Sequence, residues 1–207
     1  MTTNESFPKF DLPVDFIADD SITGDILNYY GNFPCKIKAG VFVLCTEGMV
    51  RATINLLEIV IRKNDFIVVL PNSFIQIHEV SSDTRISFAG FSSDFMLSGN
   101  YVEILLDFMP MILNSPVISL QEDVAGLYRN VYLLLIRAYT LPHSLENKEI
   151  IRSVLAIFLQ GTKELYKRYG KKLDEPLRRE QELYRQFIQL LMAHYTKEHE
   201  VAFYAEK

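Results

Sequence analysis

The chain has 207 residues, 49% of them hydrophobic and 23% charged, with a formal net charge of −5 at pH 7. Such a composition supplies a real core and excludes a disordered tail. The acidic balance also argues against a surface devoted to gripping phosphates, because a free-standing DNA-binding module carries a basic excess.

The opening residues, 1–13, show neither a basic n-region nor an apolar h-region, so no secretory signal is expected there. The longest apolar run of the second half, Val131 to Ile136, lies between Arg129 and Arg137. It falls far short of the roughly 20 apolar residues that cross a bilayer. Cys35 and Cys45 are the only cysteines, without CxxC spacing or neighbouring histidines. They read as two reduced thiols, and the chain as cytoplasmic with no membrane partner.

From Lys36 to Phe91 the pattern is one of short β-branched and aromatic runs broken by turn formers. Strands are predicted at Val41–Cys45, Val50–Asn55, Glu58–Ile61, Phe66–Leu70, Phe74–Glu79 and Arg85–Phe91. The breaks are Glu47-Gly48, Lys63-Asn64-Asp65, Pro71-Asn72 and Ser81-Ser82-Asp83. This even spacing indicates an antiparallel sandwich or small barrel, because helical crossovers for a parallel sheet have no room. Both rows of Val41–Cys45 are apolar, so that strand is expected to be covered on two sides. Elsewhere alternation puts Arg51, Thr53 and Asn55 on one face and Val50, Ala52 and Ile54 on the other. Gln76 and His78 share a face with Phe74.

After Asn100 the period lengthens to about 3.6. A helix is predicted from Tyr101 to Met109, stopping at Pro110. A second, from about Glu122 to Tyr139, is apolar almost all round and reads as a buried element. The third and longest runs from Asn147 to Tyr169, with Gly170 as its stop. Lys171 to Arg179, charged and holding Pro176, reads as a linker. A final amphipathic helix opens at Glu180, with Leu183, Phe187, Leu190, Leu191 and Tyr195 along one stripe. A further apolar pattern, Val201 to Ala205, precedes Lys207, and the ending is expected to cut through a module.

A β-rich half, a helical region, a linker and the opening of a helical module together resemble the AraC/XylS family of bacterial transcription regulators. The sharpest match is Arg179–Phe187 followed by His194–Lys207, which looks like the family's entry into its first helix-turn-helix. There a long helix leads into a short one carrying a hydrophobic residue and an alanine, here Val201 and Ala205. Arg62–Asn72 is similar to the turn and strand of the family's sensor half.

The resemblance implies an α+β chain: a cupin-like antiparallel barrel of jelly-roll type, a helical dimerisation region, and the first helices of a helix-turn-helix domain. In these terms residues 1–170 are barrel and dimerisation helices, 171–179 linker, and 180–207 an incomplete DNA-binding unit. The recognition helices that would enter the major groove are absent, so no base-contacting residue is assigned.

Enzymatic cupins hold a metal with several histidines and a carboxylate on facing strands. Of His78, His143, His194 and His199 only His78 falls in a predicted strand. One histidine cannot build such a site, and no metal, cofactor or catalytic residue is expected. No G-x-S-x-G elbow surrounds Ser92, Ser93 or Ser98. Gly126 and Gly161 stand singly, and the pairs Asp19-Asp20 and Glu122-Asp123 fit loops or helix starts.

A small effector is the more plausible ligand. Arg51, Asn55, Gln76 and His78 could converge on it, with Phe42, Leu44, Phe88 and Phe91 as an apolar wall. Arg51 would be the natural anchor for a carboxylate or phosphate. Alternatively, Arg51 and Asn55 face solvent and the barrel is simply packed. For pairing, the helix from Asn147 has more apolar surface than one contact needs. Ile151, Val154, Leu155, Phe158, Leu165 and Tyr169, with Ile150, Ile157 and Leu159 beside them, are the expected homodimer face. The resulting expectation is a regulator portion whose partners are itself, DNA through the missing modules, and an effector. The alternatives are a small-molecule-binding cupin without a DNA role and a cupin enzyme.

Overall fold

The computed structural model describes residues 9–30, 33–97, 101–140 and 148–169, then 179, 183, 186–187, 190, 194, 198 and 200–205. The strands are β1 (Lys9–Phe10), β2 (Phe16–Thr23), β3 (Cys35–Ile37), β4 (Gly40–Glu47), β5 (Met49–Ile54), β6 (Leu57–Arg62), β7 (Asp65–Val69), β8 (Ser73–Val80), β9 (Arg85–Phe91) and β10 (Val117–Ser119). The helices are α1 (Gly24–Tyr30), α2 (Ser93–Leu97), α3 (Tyr101–Asn114), α4 (Glu122–Thr140), α5 (Lys148–Tyr169) and α6 (Val201–Ala205).

The strands form two five-stranded sheets, ordered β1-β3-β8-β5-β6 and β10-β7-β4-β9-β2. Every pairing is antiparallel except the short β1–β3 contact. The fold is therefore α+β, a cupin-like antiparallel sandwich with helices layered on its second sheet. All six predicted strands are present within one or two residues. Gly48, at φ 75°, turns β4 into β5, and a Cβ there would press within 2.7 Å of the Thr84 backbone. Asn55 (φ 46°) and Leu56 (φ 73°) make the two-residue turn from β5 to β6. That is the left-handed geometry a tight hairpin needs.

Two cores result. Cys45, Val50, Ala52, Ile54, Ile61, Ile67, Val69 and Ile86 fill the space between the sheets. The other face of the second sheet meets the helices through Phe42, Leu44, Phe66 and Phe91, packed with Phe108, Ile112, Tyr128, Tyr132, Leu155 and Phe158. β4 is thus covered on both faces, as its doubly apolar sequence requires. Phe158 sits at the centre of the second core, edge-on to Phe42 with ring centroids 4.9 Å apart and to Tyr132 at 5.7 Å. α4 crosses β2, β9 and β4, and α5 lies against α3 and β10.

Several elements depart from the sequence reading. β2 is a full strand, and Asp19-Asp20, expected in a loop or helix start, lies within it at an irregular register against β9. That irregularity breaks the alternation by which the strand would have been recognised. α3 does not stop at Pro110 but continues to Asn114. Burial of Tyr101, Leu105, Phe108 and Ile112 along one stripe outweighs the roughly 3 kcal/mol a helical proline costs. Ser92 caps α2, its Oγ accepting from the Phe95 amide at 3.2 Å. Finally, α4 is not buried all round, because Leu127, Leu133 and Leu134 are exposed. Gly170, residues 171–178 and most of the expected helix from Glu180 lie outside the described residues.

Candidate functional site

The eight residues expected to surround an effector fall on different surfaces. Phe42, Leu44 and Phe91 are fully buried in the helix-facing core. Phe88, opposite Val43 and two residues from Ile86, lies by alternation on the face between the sheets. Arg51, Gln76 and His78 line the outward face of the first sheet. A β-bulge in β8 opposite Arg51 and Ala52 keeps His78 and Glu79 both on that outward side. There Arg51 Nη2 meets Glu79 Oε2 at 3.2 Å, and Thr53 Oγ1 shares a hydrogen bond with His78 Nε2 at 2.7 Å. Asn55 is a turn residue: its Nδ2 donates to Ser73 Oγ at 3.0 Å, and its Oδ1 accepts from the Phe74 amide at 2.9 Å. The expected single pocket is therefore not assembled, because the two faces of each strand point to different layers and the inter-sheet space is filled with aliphatic side chains. A shallow groove between the β5–β6 turn and the end of α3, lined by Ile54, Leu57, Leu70, Ile112 and Pro116, has room for about one water.

Neither thiol is placed for nucleophilic chemistry. Cys45 is buried, its Sγ donates to the Glu47 carbonyl at 3.2 Å, and burial with nearby Asp65 pushes its pKa up to about 12. Burial also raises the Cys35 thiol. Thiolate is scarce at neutral pH in both cases. Among the described residues no three His, Cys, Asp or Glu side chains come together as a metal site would need. No helix among them is long and apolar enough to cross a membrane.

The best-built polar cluster joins the barrel to α4. Asn64, held at φ 69° in the β6–β7 turn, donates from Nδ2 to Glu122 Oε2 at 2.6 Å. Arg129 Nη2 donates to Glu122 Oε1 at 2.8 Å, and Arg129 Nη1 to Asn64 Oδ1 at 3.3 Å. Lys63 Nζ stands 3.9 Å from Glu122. Hydrogen bonds from Asn64 and Arg129, with Lys63 beside them, hold the Glu122 carboxyl below its ordinary pKa. Just beneath, buried Asp65 accepts from the Arg62 amide at 2.7 Å and from Ser119 Oγ at 2.6 Å. The first turn of α4 is thus tied to a barrel turn by side chains from both.

The expected homodimer face on α5 is used within the protomer. Leu155, Phe158 and Leu165 are 0%, 3% and 6% exposed, while Ile151, Val154 and Tyr169 pack partly buried against the same core. Leu159 is buried too, the Ile150 side chain lies outside those described, and among the described side chains of that helix Ile157 points outward as a large apolar residue. α4 carries the exposed apolar surface instead. Its inner side buries Ala125, Tyr128, Tyr132 and Leu135, while Leu127 and Leu134 are 61% and 58% exposed on the other. The sequence signal was there: Asp123, Leu127, Asn130, Leu134 and Arg137 recur at spacings of three and four. It was hidden because α4 is apolar on its inner side as well.

Beyond α5 lies a second, local aromatic cluster. Phe187 meets Tyr204 edge-on at 6.0 Å, and His194 meets Phe203 at 5.1 Å. Tyr204 is buried, and its hydroxyl donates to the Glu198 carbonyl at 2.7 Å. α6 is thereby folded back on residues that precede it by fewer than twenty positions.

No protein-family model matches the sequence, and no curated protein matches it. Among solved structures, it is similar to ToxT from Vibrio cholerae O395 bound to (E)-4-(8-methylnaphthalen-1-yl)but-3-enoic acid. That likeness has 12% identity and a TM-score of 0.42 over 93% of this chain and 71% of that one. The AraC-like transcriptional activator CuxR gives 9% identity and a TM-score of 0.47 over 82% of this chain and 56% of that one. A putative ethanolamine utilization protein of Salmonella typhimurium LT2 gives 13% and 0.26 over 38% of this chain and 55% of that one. All three likenesses are loose.

Proposed function

We propose that the chain is the sensing and pairing half of a bacterial transcription regulator of the AraC/XylS type, with residues from about 180 onward opening its DNA-reading module. The observation that carries this reading is the division into two hydrophobic assemblies. Among the described residues, the core of the sandwich and its helices runs to Tyr169, while Phe187, Phe203 and Tyr204 gather in a cluster of their own. The motif resemblance quoted for residues 179–207 falls on that cluster and gives it a role, the entry to a helix-turn-helix. The acidic net charge fits a portion whose main surface senses and pairs rather than holds phosphates.

Sensing belongs to the sandwich in this reading. Of the residues expected at an effector, Arg51, Gln76 and His78 share one outward face with Thr53, and an anionic group there would compete with Glu79 for the Arg51 fork. Arg51→Ala leaving the transcriptional response unchanged would take Arg51 out of the sensor.

The test of the function is chromatin immunoprecipitation of the tagged protein as its gene encodes it, in the native host. Discrete enrichment upstream of genes is expected, with loss of regulation of those genes on deletion. Enrichment no better than an untagged control under every growth condition would overturn the reading in favour of a ligand-binding protein without a DNA role.

A further inference from the structure

We propose that β6 is a docking edge for an extended segment of a partner protein, which adds there as a sixth strand of the first sheet. The inference goes beyond the regulator reading and does not rest on it. The two sheets end in four edges: β1, β6, β10 and β2. β1 has two residues, β10 has three with α5 against it, and β2 is irregular in register and crossed by α4. Short length, irregularity and a covering helix are the ways in which sheet edges are closed. β6 has none of them. Its six residues keep a regular register with β5, and no strand of the described residues pairs with its other side.

The turn before β6 says which backbone groups are free. In a two-residue hairpin the flanking residues, here Ile54 and Leu57, exchange hydrogen bonds. Leu57, Ile59 and Ile61 therefore bond to β5, while the N–H and C=O groups of Glu58, Val60 and Arg62 point away from it. Two bonds agree. The Asn55 amide reaches the opposite way, to the Phe74 carbonyl at 3.0 Å, and the Arg62 amide donates to Asp65 Oδ2 at 2.7 Å. Both groups of Glu58 and both of Val60 are left for a newcomer.

Side chains name its chemistry. Glu58, Val60 and Arg62 alternate as acid, β-branched residue and base on the outward face, all exposed, and neither charge enters an ion pair of the described residues. Residues directly opposite on antiparallel strands interact. In its own direction, the incoming strand therefore carries an acid opposite Arg62, a β-branched residue opposite Val60 and a base opposite Glu58. The residue after the base lies beside Leu57, where the groove toward Pro116 has room for about one water, so it is glycine or alanine. β6 has the same acid-to-base order, yet a second copy fits less well. Opposite Glu58 it would set Arg62, whose amide is spent on Asp65, and the Glu58 carbonyl would go unmet in both copies. β6 runs directly into the turn where Asn64 holds Glu122 of α4. The docked strand thus lies beside the joint between the sandwich and its helices.

Fluorescence anisotropy on the whole chain tests the idea, with a labelled, end-capped peptide reading Ser-Glu-Thr-Val-Thr-Arg-Ala-Ser. Saturable binding is expected. Methylating the valine nitrogen of the peptide should weaken it roughly tenfold, by removing one backbone hydrogen bond and crowding the ladder. Exchanging glutamate and arginine in the peptide should weaken it several-fold. Val60→Pro is expected to abolish binding while thermal melts stay close to wild type, because the Val60 amide bonds to nothing on β5. Glu58→Arg combined with Arg62→Glu should prefer the exchanged peptide, and decides alone if the proline variant does not fold. No binding by the wild type at about 1 millimolar peptide, or binding indifferent to the methyl group or to both charge exchanges, would overturn the proposal. Self-association of the wild type that Val60→Pro abolishes would give the edge to a second copy and overturn it too. None of these outcomes bears on DNA occupancy.

Discussion

α4 and α5 are the two longest helices among the described residues, 19 and 22 residues, and both are amphipathic. They spend their apolar residues differently. α5 turns Leu155, Phe158, Leu159, Leu165 and Tyr166 into one core and, among its described side chains, leaves Ile157 exposed. α4 divides its own between a buried row and an exposed one. The difference teaches that an apolar count does not identify an interface, and that a helix is free to pair only with what its own protomer has not covered. α5, expected to be the pairing helix, is the one with less to offer.

The comparison breaks most visibly on Phe158. Its ring is 3% exposed and touches Phe42, Phe66, Tyr128 and Tyr132. Phe158→Ala should cost about 3–5 kcal/mol in urea unfolding, because the removed ring leaves a cavity that rigid neighbours cannot close. Leu134→Ala on α4 is expected to stay within about 0.5 kcal/mol for the monomer. Equal losses at the two sites would mean that the two helices are not divided in this way.

A finer version uses two buried tyrosines. Tyr166 of α5 donates from its hydroxyl to the Pro116 carbonyl at 3.2 Å. The hydroxyl of Tyr132 on α4 is equally buried and has no hydrogen-bond partner among the described residues. Desolvation raises both pKa values well above the ordinary range, so each stays protonated. Tyr166→Phe is therefore expected to cost about 1 kcal/mol, the net worth of a neutral hydrogen bond. Tyr132→Phe should cost nothing in the same assay, since it deletes a hydroxyl whose desolvation is uncompensated.

Much of this fold could be read from residue order, and the parts that could not share a cause. Strands β4 to β9 were legible because alternation and turn residues act locally: Gly48, Asn64 and Asn72 take positive φ where breaks were expected, while Asn55, expected to end a strand, takes one in the β5–β6 turn. β2 was missed because Asp19 and Asp20 interrupt its pattern, and α3 was cut short because the stripe that outweighs Pro110 depends on what it docks against. The effector residues illustrate the larger limit. Alternation correctly grouped Gln76 with His78, yet it could not say that their face points outward while Phe42 and Phe91 face a layer of helices. Which side of a strand lines a cavity is a property of the stacking of sheets, not of one strand. The same holds for α4, whose exposed row emerges only once the inner row has a partner.

The smallest expected effect concerns how α4 is anchored to the barrel turn between β6 and β7. Glu122 accepts from Asn64 and Arg129, with Lys63 nearby, and its folded-state pKa lies below the ordinary 4.5. The carboxylate is exposed, so solvent screens much of the attraction. A lowered carboxylate pKa stabilises the fold fully above its unfolded value, and the contribution is lost as pH falls through the folded one. Glu122→Gln is therefore expected to melt slightly below wild type at pH 7, by less than Tyr166→Phe, with the gap closing as pH drops below about 4. Asn64→Gly should reproduce part of that loss, because glycine keeps the left-handed turn while removing the amide that reaches Glu122. A gap for Glu122→Gln that persists unchanged at pH 3 would mean that charge at this position does not hold α4 to the barrel, and that the helix is seated by its buried row alone.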